Sequence, residues 1–272
     1  MDGLPSRAEI YVEYKAAKDA FRACPGCKIE DLQERIHFAF YTFSVNWREL
    51  DGWFQSAASD QGNAAAIISF FDPAKRLQFL RELERRLHNY CASVKSLVDH
   101  TRRVHVAMDS YRDISTEVAE LNATYFKNHG LSQFVQQLRN YFVHLHPVSS
   151  GYSIQCEGGE FTVPYRFRKA LLLEYGEWNK SAKRFLEEAG DQIDVQTTLE
   201  SYFQYTKAFY DILWAKHREW FAPQFAERQR LLLTVVELEK KLEEKDKAEA
   251  LPRGTFARRA QTWRRRRDSN PR

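Results

Sequence analysis

The chain has 272 residues, of which 43% are hydrophobic and 14% aromatic, enough to bury a core without disulfide or metal support. The net charge is +4, but residues 251–272 contain eight arginines and one acid, a charge of +7. Residues 1–250 therefore carry 4 − 7 = −3, which excludes a folded part with a broadly basic, nucleic-acid-coating surface. Glycine (11) and proline (8) are scarce, which favours long helices.

The composition also bears on the compartment of the protein. Four cysteines in a chain of this length do not indicate a disulfide framework. The first ten residues lack the apolar segment of a signal peptide, and the longest apolar run (64–71) is too short to span a membrane. We therefore expect a cytoplasmic protein with reduced thiols and no membrane association.

Two helices are predicted in the first sixty residues. The first covers residues 6–22 and ends before Cys-Pro-Gly-Cys at 24–27, which we interpret as a turn. The alternative is a thioredoxin-like redox motif, but no strand precedes it. From Glu30 to Phe54, apolar residues recur at spacings of three and four, which predicts a second helix that ends at 59–63.

A long third helix follows, with Asp72 as its N-cap and Pro73 in its first position. Its apolar stripe runs from Leu77 to Val104, about 45 Å at 1.5 Å per residue. Such a helix is typical of a bundle. Further helices are predicted over 112–128 and 131–146.

The pattern then changes to alternation with a period of two. Residues 152–157 and 161–165 alternate on either side of Gly158-Gly159, which predicts a β-hairpin. Helical patterns resume at 167–190, 195–222 and 224–247. The expected fold class is therefore mainly α, a helical bundle with a small β-hairpin insertion.

The segment "LRNYFVHLHP" (138–147) is the strongest candidate for a site. Its apolar face comprises Leu138, Tyr141, Phe142 and Leu145. Asn140 and His144 lie one helical turn apart, and Arg139 is about 140° from His144 around the helix, with a side chain long enough to reach the same groove. Together they supply a permanent cation, an amide and a group that titrates near neutrality. That set can perform acid–base chemistry on a phosphodiester without a metal.

These residues resemble the R-x4-H signature, in its RNxxxH form, of HEPN domains, which are helical bundles that include many RNA-cleaving toxins and defence nucleases. The resemblance implies that Arg139 and His144 face their symmetry mates across a homodimer and cleave RNA through its own 2′-hydroxyl, with Asn140 beside them. It further implies no cofactor or metal, and an antitoxin-like protein partner. It covers one helix closely and the preceding helical hairpin in outline. The chain is longer than a minimal HEPN domain.

The resemblance and the sequence patterns together suggest three regions. Residues 1–150 would form the HEPN-like bundle, 151–250 a β-hairpin with C-terminal helices packed on it, and 251–272 a disordered, dispensable basic tail. The tail could instead be a nucleic-acid-binding arm. A third interpretation is that the reading frame runs into a neighbouring tRNA gene, because "DSNPR" is what the T-arm consensus encodes.

Four further residues are candidates for supporting roles. His146, at the helix end, is expected to interact with the last carbonyls, with a direct catalytic role as the alternative. Asp99, His100 and Arg102 on the long helix would orient His144, or form an ordinary solvated face. The alternative function for the whole chain is a non-catalytic helical scaffold or interaction protein, which needs the same amphipathic helix.

Overall fold

The computed structural model describes residues 5–59, 73–127, 129–144, 151–152, 155–157, 160–162 and 165–248. The described chain is mainly α with small antiparallel sheets, so the predicted fold class is confirmed. The predicted tail at 251–272 lies outside the described residues. No helix in the described ranges is long and apolar enough to cross a membrane.

The elements follow in chain order. The helices are α1 (Arg7–Ala23), α2 (Pro25–Ser59), α3 (Pro73–Met108), α4 (Ser115–Asn122), which continues as a π-helical segment (Ala123–Lys127), α5 (Gly130–His144), α6 (Lys169–Leu173), α7 (Lys180–Glu188), α8 (Val195–Trp220) and α9 (Ala222–Ala248). The strands are β1 (Gly151–Tyr152), β2 (Gln155–Glu157), β3 (Glu160–Thr162), β4 (Tyr165–Arg168) and β5 (Gln192–Asp194).

Two compact units are present. Helix α1, the first turn of α2 up to Lys28 and helix α9 form one, and residues 29–221 form the other. In the first unit Ile10 packs with Leu238 and Leu242, and Arg7 forms an ion pair with Asp246. The boundary expected near residue 150 lies inside the second unit, and the division into 1–150 and 151–250 stays a prediction.

The second unit is organised around an antiparallel pair of long helices, α2 and α3. Arg86 of α3 donates to the Glu49 carbonyl of α2 at 3.1 Å. Their buried faces supply large side chains at helical spacing, which are Ile36, Phe43, Trp47, Leu50 and Phe54 on α2 and Leu83, Leu87, Tyr90, Val94 and Leu97 on α3. Helix α8 completes this core, because Tyr90 donates to the Leu199 carbonyl. Burial of this aromatic-rich surface is the main stabilising contribution.

The turn predicted at residues 24–27 is wrong. Cys24 is the only residue between α1 and α2, and Pro25, Gly26 and Cys27 form the first turn of α2. The reason is positional, since proline fixes φ near the helical value and lacks the N–H that a first helical residue leaves unpaired.

The single helix predicted over 167–190 is also wrong. The segment contains β4 and the helices α6 and α7, separated at Glu174–Asn179. Asn179 caps α7 by accepting from the Ala182 N–H at 2.9 Å, and Trp178 Nε1 donates to the Leu172 carbonyl at 2.6 Å. These side-chain bonds make the break favourable.

The predicted β-hairpin is present, and a second sheet accompanies it. Strands β2 and β3 pair antiparallel with Cys156 opposite Phe161. Strand β4 lies between β1 and β5 and pairs antiparallel with both, with Phe167 opposite Ile193. Strand β5 immediately precedes α8, in a segment where the sequence predicted no strand.

Candidate functional site on helix α5

Helix α5 is anchored by a continuous apolar face. Phe134, Val135, Leu138 and Tyr141 are all buried. The Tyr141 ring stacks on Trp178, with ring centroids 5.8 Å apart. Burial, with a smaller contribution from the charge of Glu174, raises the pKa of Tyr141. The helix therefore cannot rotate about its axis without breaking the core, and the angular positions of its polar residues are fixed.

Polar contacts also hold α5 against α7. The Gln133 side chain accepts from Asn179 Nδ2 at 2.6 Å, and the Gln137 side chain accepts from the Asn179 backbone N–H at 2.9 Å. A Cβ added at Gly130 would lie 3.0 Å from the Phe185 Cβ, so the start of α5 approaches α7 closely. These two glutamines, one turn apart, join α5 to the capping residue of α7.

Arg139 and Asn140 lie beside this anchored face and are both half-buried. Arg139 Nη1 is 3.4 Å from Asn140 Oδ1, a long contact that brings the guanidinium round to the Asn140 side of the helix. His144 is the last residue of α5, and its side chain lies outside the described residues. At 100° per residue, Asn140 is about 40° from His144 around the helix, so the amide lies between the other two positions.

The supporting candidates have individual environments. Asp99 accepts from Lys95 at 2.7 Å, a surface pair within α3. His100 lines a groove between α2 and α3, and Arg102 is exposed. His146 lies outside the described residues. The roles predicted for these four residues stay predictions.

The structure contains a buried histidine pair that the sequence did not predict. His105 Nε2 of α3 and His217 Nε2 of α8 are 3.0 Å apart, and the two residues are 6% and 0% exposed. Asp109 and His37 contribute charges, while the rings of Trp214 and Trp220 pack against His217. The only available indication was that His217 continues the apolar stripe of α8, which includes Leu213.

The two imidazoles are held neutral. Desolvation lowers the pKa of His105 to about 4, against a smaller opposing effect of Asp109. Desolvation, then the neighbouring His105 and His37, lower the pKa of His217 to about 3. A hydrogen bond between neutral imidazoles needs one protonated and one unprotonated Nε2, so the two rings take different tautomers.

Comparisons with protein-family models, curated proteins and solved structures give no match to this chain. Within the described ranges, no group of three or more His, Cys, Asp or Glu side chains is placed to hold a metal ion.

Proposed function

We propose that the protein is a metal-independent endoribonuclease of the HEPN type, acting as a homodimer, with Arg139, Asn140 and His144 as its active-site residues. The observation that carries this proposal is the contact between Arg139 Nη1 and Asn140 Oδ1. By helical geometry, the Arg139 position is about 100° around the helix from Asn140 and about 140° from His144. The contact brings the Arg139 guanidinium to the Asn140 amide, which occupies the position between them. The guanidinium and the amide are thereby adjacent on a rigidly anchored helix, which carries His144 one turn further along its backbone.

The proposed reaction is an internal transesterification of RNA. His144, or its counterpart in the second subunit, accepts the proton of the 2′-hydroxyl, and the 2′-oxygen attacks the adjacent phosphorus. The bond to the 5′-oxygen breaks, and that oxygen takes up a proton from the other imidazole. The products are a 2′,3′-cyclic phosphate and a 5′-hydroxyl. Two histidines are needed in opposite protonation states, which is why a dimer suits the chemistry.

Arg139 and Asn140 have different parts in this scheme. The Arg139 guanidinium holds the phosphate through two parallel hydrogen bonds and offsets the charge that develops on its oxygens. Asn140 lies between Arg139 and His144 and orients both. Arg139→Lys keeps the charge but loses the planar two-donor geometry, so we expect it to bind RNA and to cleave it slowly.

RNA cleavage by purified protein tests the proposal. His144→Ala should lower the cleavage rate by roughly 10² to 10⁴, the usual contribution of acid–base catalysis, with and without a chelator present. The matched control is His88→Ala, which removes an exposed histidine of α3 and should cleave like the wild type. Circular dichroism checks that each variant is folded. Equal cleavage by wild type and His144→Ala, or products without a cyclic phosphate, would contradict the proposal.

A second candidate function is a non-catalytic interaction protein, and a different surface favours it. Phe38, which lines the same groove as His100, is 73% exposed, and Val106 of α3 and Tyr41 of α2 are 73% and 59% exposed. Contiguous exposed apolar surface marks protein–protein contacts, so these side chains are candidates for such a contact. If the wild-type protein cleaves neither structured nor single-stranded RNAs, the interaction function is favoured over the nuclease function.

A further inference from the structure

We propose that Cys24 and Cys27 form a redox-active dithiol, which exchanges with low-molecular-weight disulfides and closes an intramolecular Cys24–Cys27 disulfide. This inference is independent of the proposed nuclease function. The structure contains both cysteines as free thiols.

Helix geometry brings the two side chains together. Cys24 has extended backbone angles (φ −65°, ψ 146°) and precedes Pro25, the first residue of α2, so Cys24 is the N-cap and Cys27 the third helical residue. The Cys27 N–H donates to the Cys24 carbonyl at 3.2 Å. In a capping box, the side chain at each of these two positions bonds to the backbone N–H of the other, so both side chains lie at the same end of the helix.

Helix α1 provides an internal comparison. Ser6 and Glu9 occupy its N-cap and third positions, and Ser6 Oγ lies 2.8 Å from Glu9 Oε2. In α2 the same two positions carry Cys24 and Cys27, and the neighbouring Cys24 contributes to raising the pKa of Cys27. The spacing that joins a hydroxyl to a carboxylate in α1 therefore places two thiols on the same helical turn in α2.

Residues of α9 pack closely around the Cys24–Cys27 segment and bring a positive charge to it. The Arg228 guanidinium of α9 lies over the Phe21 ring, 5.6 Å from its centroid, and its charge acts to lower the pKa of Cys27. A Cβ at Gly26 would lie 2.4 Å from the Gln224 carbonyl oxygen, so the motif tolerates only glycine there without a shift. The Arg228 cation favours the Cys27 thiolate that exchange requires, but burial and the neighbouring Cys24 outweigh this effect.

The two thiols differ in access, which sets the order of steps. Cys24 is 6% exposed, whereas Cys27 is half-buried and more accessible. Desolvation, then the neighbouring Cys24, raise the pKa of Cys27 to about 11, an effect that Arg228 opposes. Cys27 therefore reacts through a small thiolate fraction, and the rate should rise nearly tenfold per pH unit from pH 7 to 9.

The exchange balances with a disulfide RSSR as the oxidant. Cys27 loses its proton to solvent, and its thiolate attacks one sulfur of RSSR, releasing RS⁻, which is protonated to RSH. Cys24 then loses its proton and attacks the Cys27 sulfur, and the mixed disulfide breaks to release a second RSH. Two thiols are oxidised to one disulfide, and one RSSR is reduced to two RSH.

Glutathione redox buffers test the proposal on the full-length wild-type protein. The reduced protein is incubated at increasing ratios of oxidised to reduced glutathione, quenched in acid and alkylated, and its intact and peptide masses are measured. We expect loss of two alkylation sites and of two hydrogen atoms, with a peptide linking Cys24 to Cys27. Buried Cys91 should stay unmodified, because it is 1% exposed.

Variants define the two roles. Cys24→Ser should leave Cys27 as a stable mixed disulfide with glutathione, and Cys156→Ser, the matched control, should still form the Cys24–Cys27 link. The wild-type result decides the matter even if a variant fails to fold. No intramolecular link at any ratio, or a mixed disulfide on wild-type Cys27 that Cys24 does not resolve, would overturn the proposal. A rate that is flat between pH 7 and 9 would overturn the assignment of Cys27 as the attacking residue.

Discussion

His105 and His217 make the stability of the second unit sensitive to acid. The pKa values of both are lower in the folded protein than the usual 6.5, so the folded state binds fewer protons than the unfolded state. Their stabilising contribution is fully present above about pH 6.5. It is lost as the pH falls through the window from 6.5 towards 4 and 3, because protonation then favours the unfolded chain.

We predict a decrease in the free energy of unfolding on the order of 2 kcal/mol for each imidazole between pH 6.5 and 5, since one pKa unit corresponds to about 1.36 kcal/mol. His217→Phe should remove roughly half of this dependence. Urea unfolding at a series of pH values measures it. His88→Gln, which replaces an exposed histidine on the same long helix as His105, should retain the full wild-type dependence. A pH profile for His217→Phe that matches the wild type would contradict this assignment.

The candidate residues differ in how far the sequence alone could predict them. Arg139, Asn140 and His144 lie within six positions on one helix, so their placement depends only on helical geometry and could be predicted. His105 and His217 are 112 positions apart, and only the packing of α8 against α3 brings their rings together. Local periodicity carries no information on such a pair.

Two glycines within α2 have opposite expected effects when a methyl group is added. A Cβ at Gly26 would meet the Gln224 carbonyl oxygen at 2.4 Å and the Arg228 Cβ at 2.7 Å, whereas a Cβ at Gly52 would meet nothing within 4 Å. We predict that Gly26→Ala destabilises the protein by about 1–3 kcal/mol through overpacking. Gly52→Ala should stabilise it by roughly 0.5–1 kcal/mol, the usual preference for alanine inside a helix.

Chemical denaturation of both variants beside the wild type measures these effects. Because Gly52 lies in the same helix, it controls for helix propensity alone. If Gly26→Ala were as stable as Gly52→Ala, the close approach of Gly26 to Gln224 would be ruled out.

The element boundaries show where sequence patterns succeed and fail. The long helices α2 and α3 were predicted because their apolar stripes repeat over many turns. The β2–β3 hairpin was predicted because it is local. Strand β5 was missed because it has three residues and pairs with β4, more than twenty positions earlier. The end of the helix predicted over 112–128 is π-helical at Ala123–Lys127, a deviation that apolar spacing does not reveal.

The whole chain is expected to unfold in the same way without residues 251–272. The sequence of those residues carries eight arginines and no apolar periodicity, so we expect no stabilising contribution from them. A chain ending at Ala250 should have an unfolding temperature within about 2 °C of the full-length value. Differential scanning calorimetry measures it. A decrease of several degrees would mean that the tail contributes to the core.

The pairing of α1 with α9 has a consequence for synthesis on the ribosome. Ile10 is synthesised first, whereas Leu238 and Leu242, the buried residues it packs against, follow more than two hundred residues later. At 5–20 residues per second, the apolar face of α1 stays uncovered on the nascent chain for roughly 10 to 45 s. During that interval it is available to chaperones and to neighbouring nascent chains. A product that stops before α9 would expose that face permanently, which favours its degradation or aggregation.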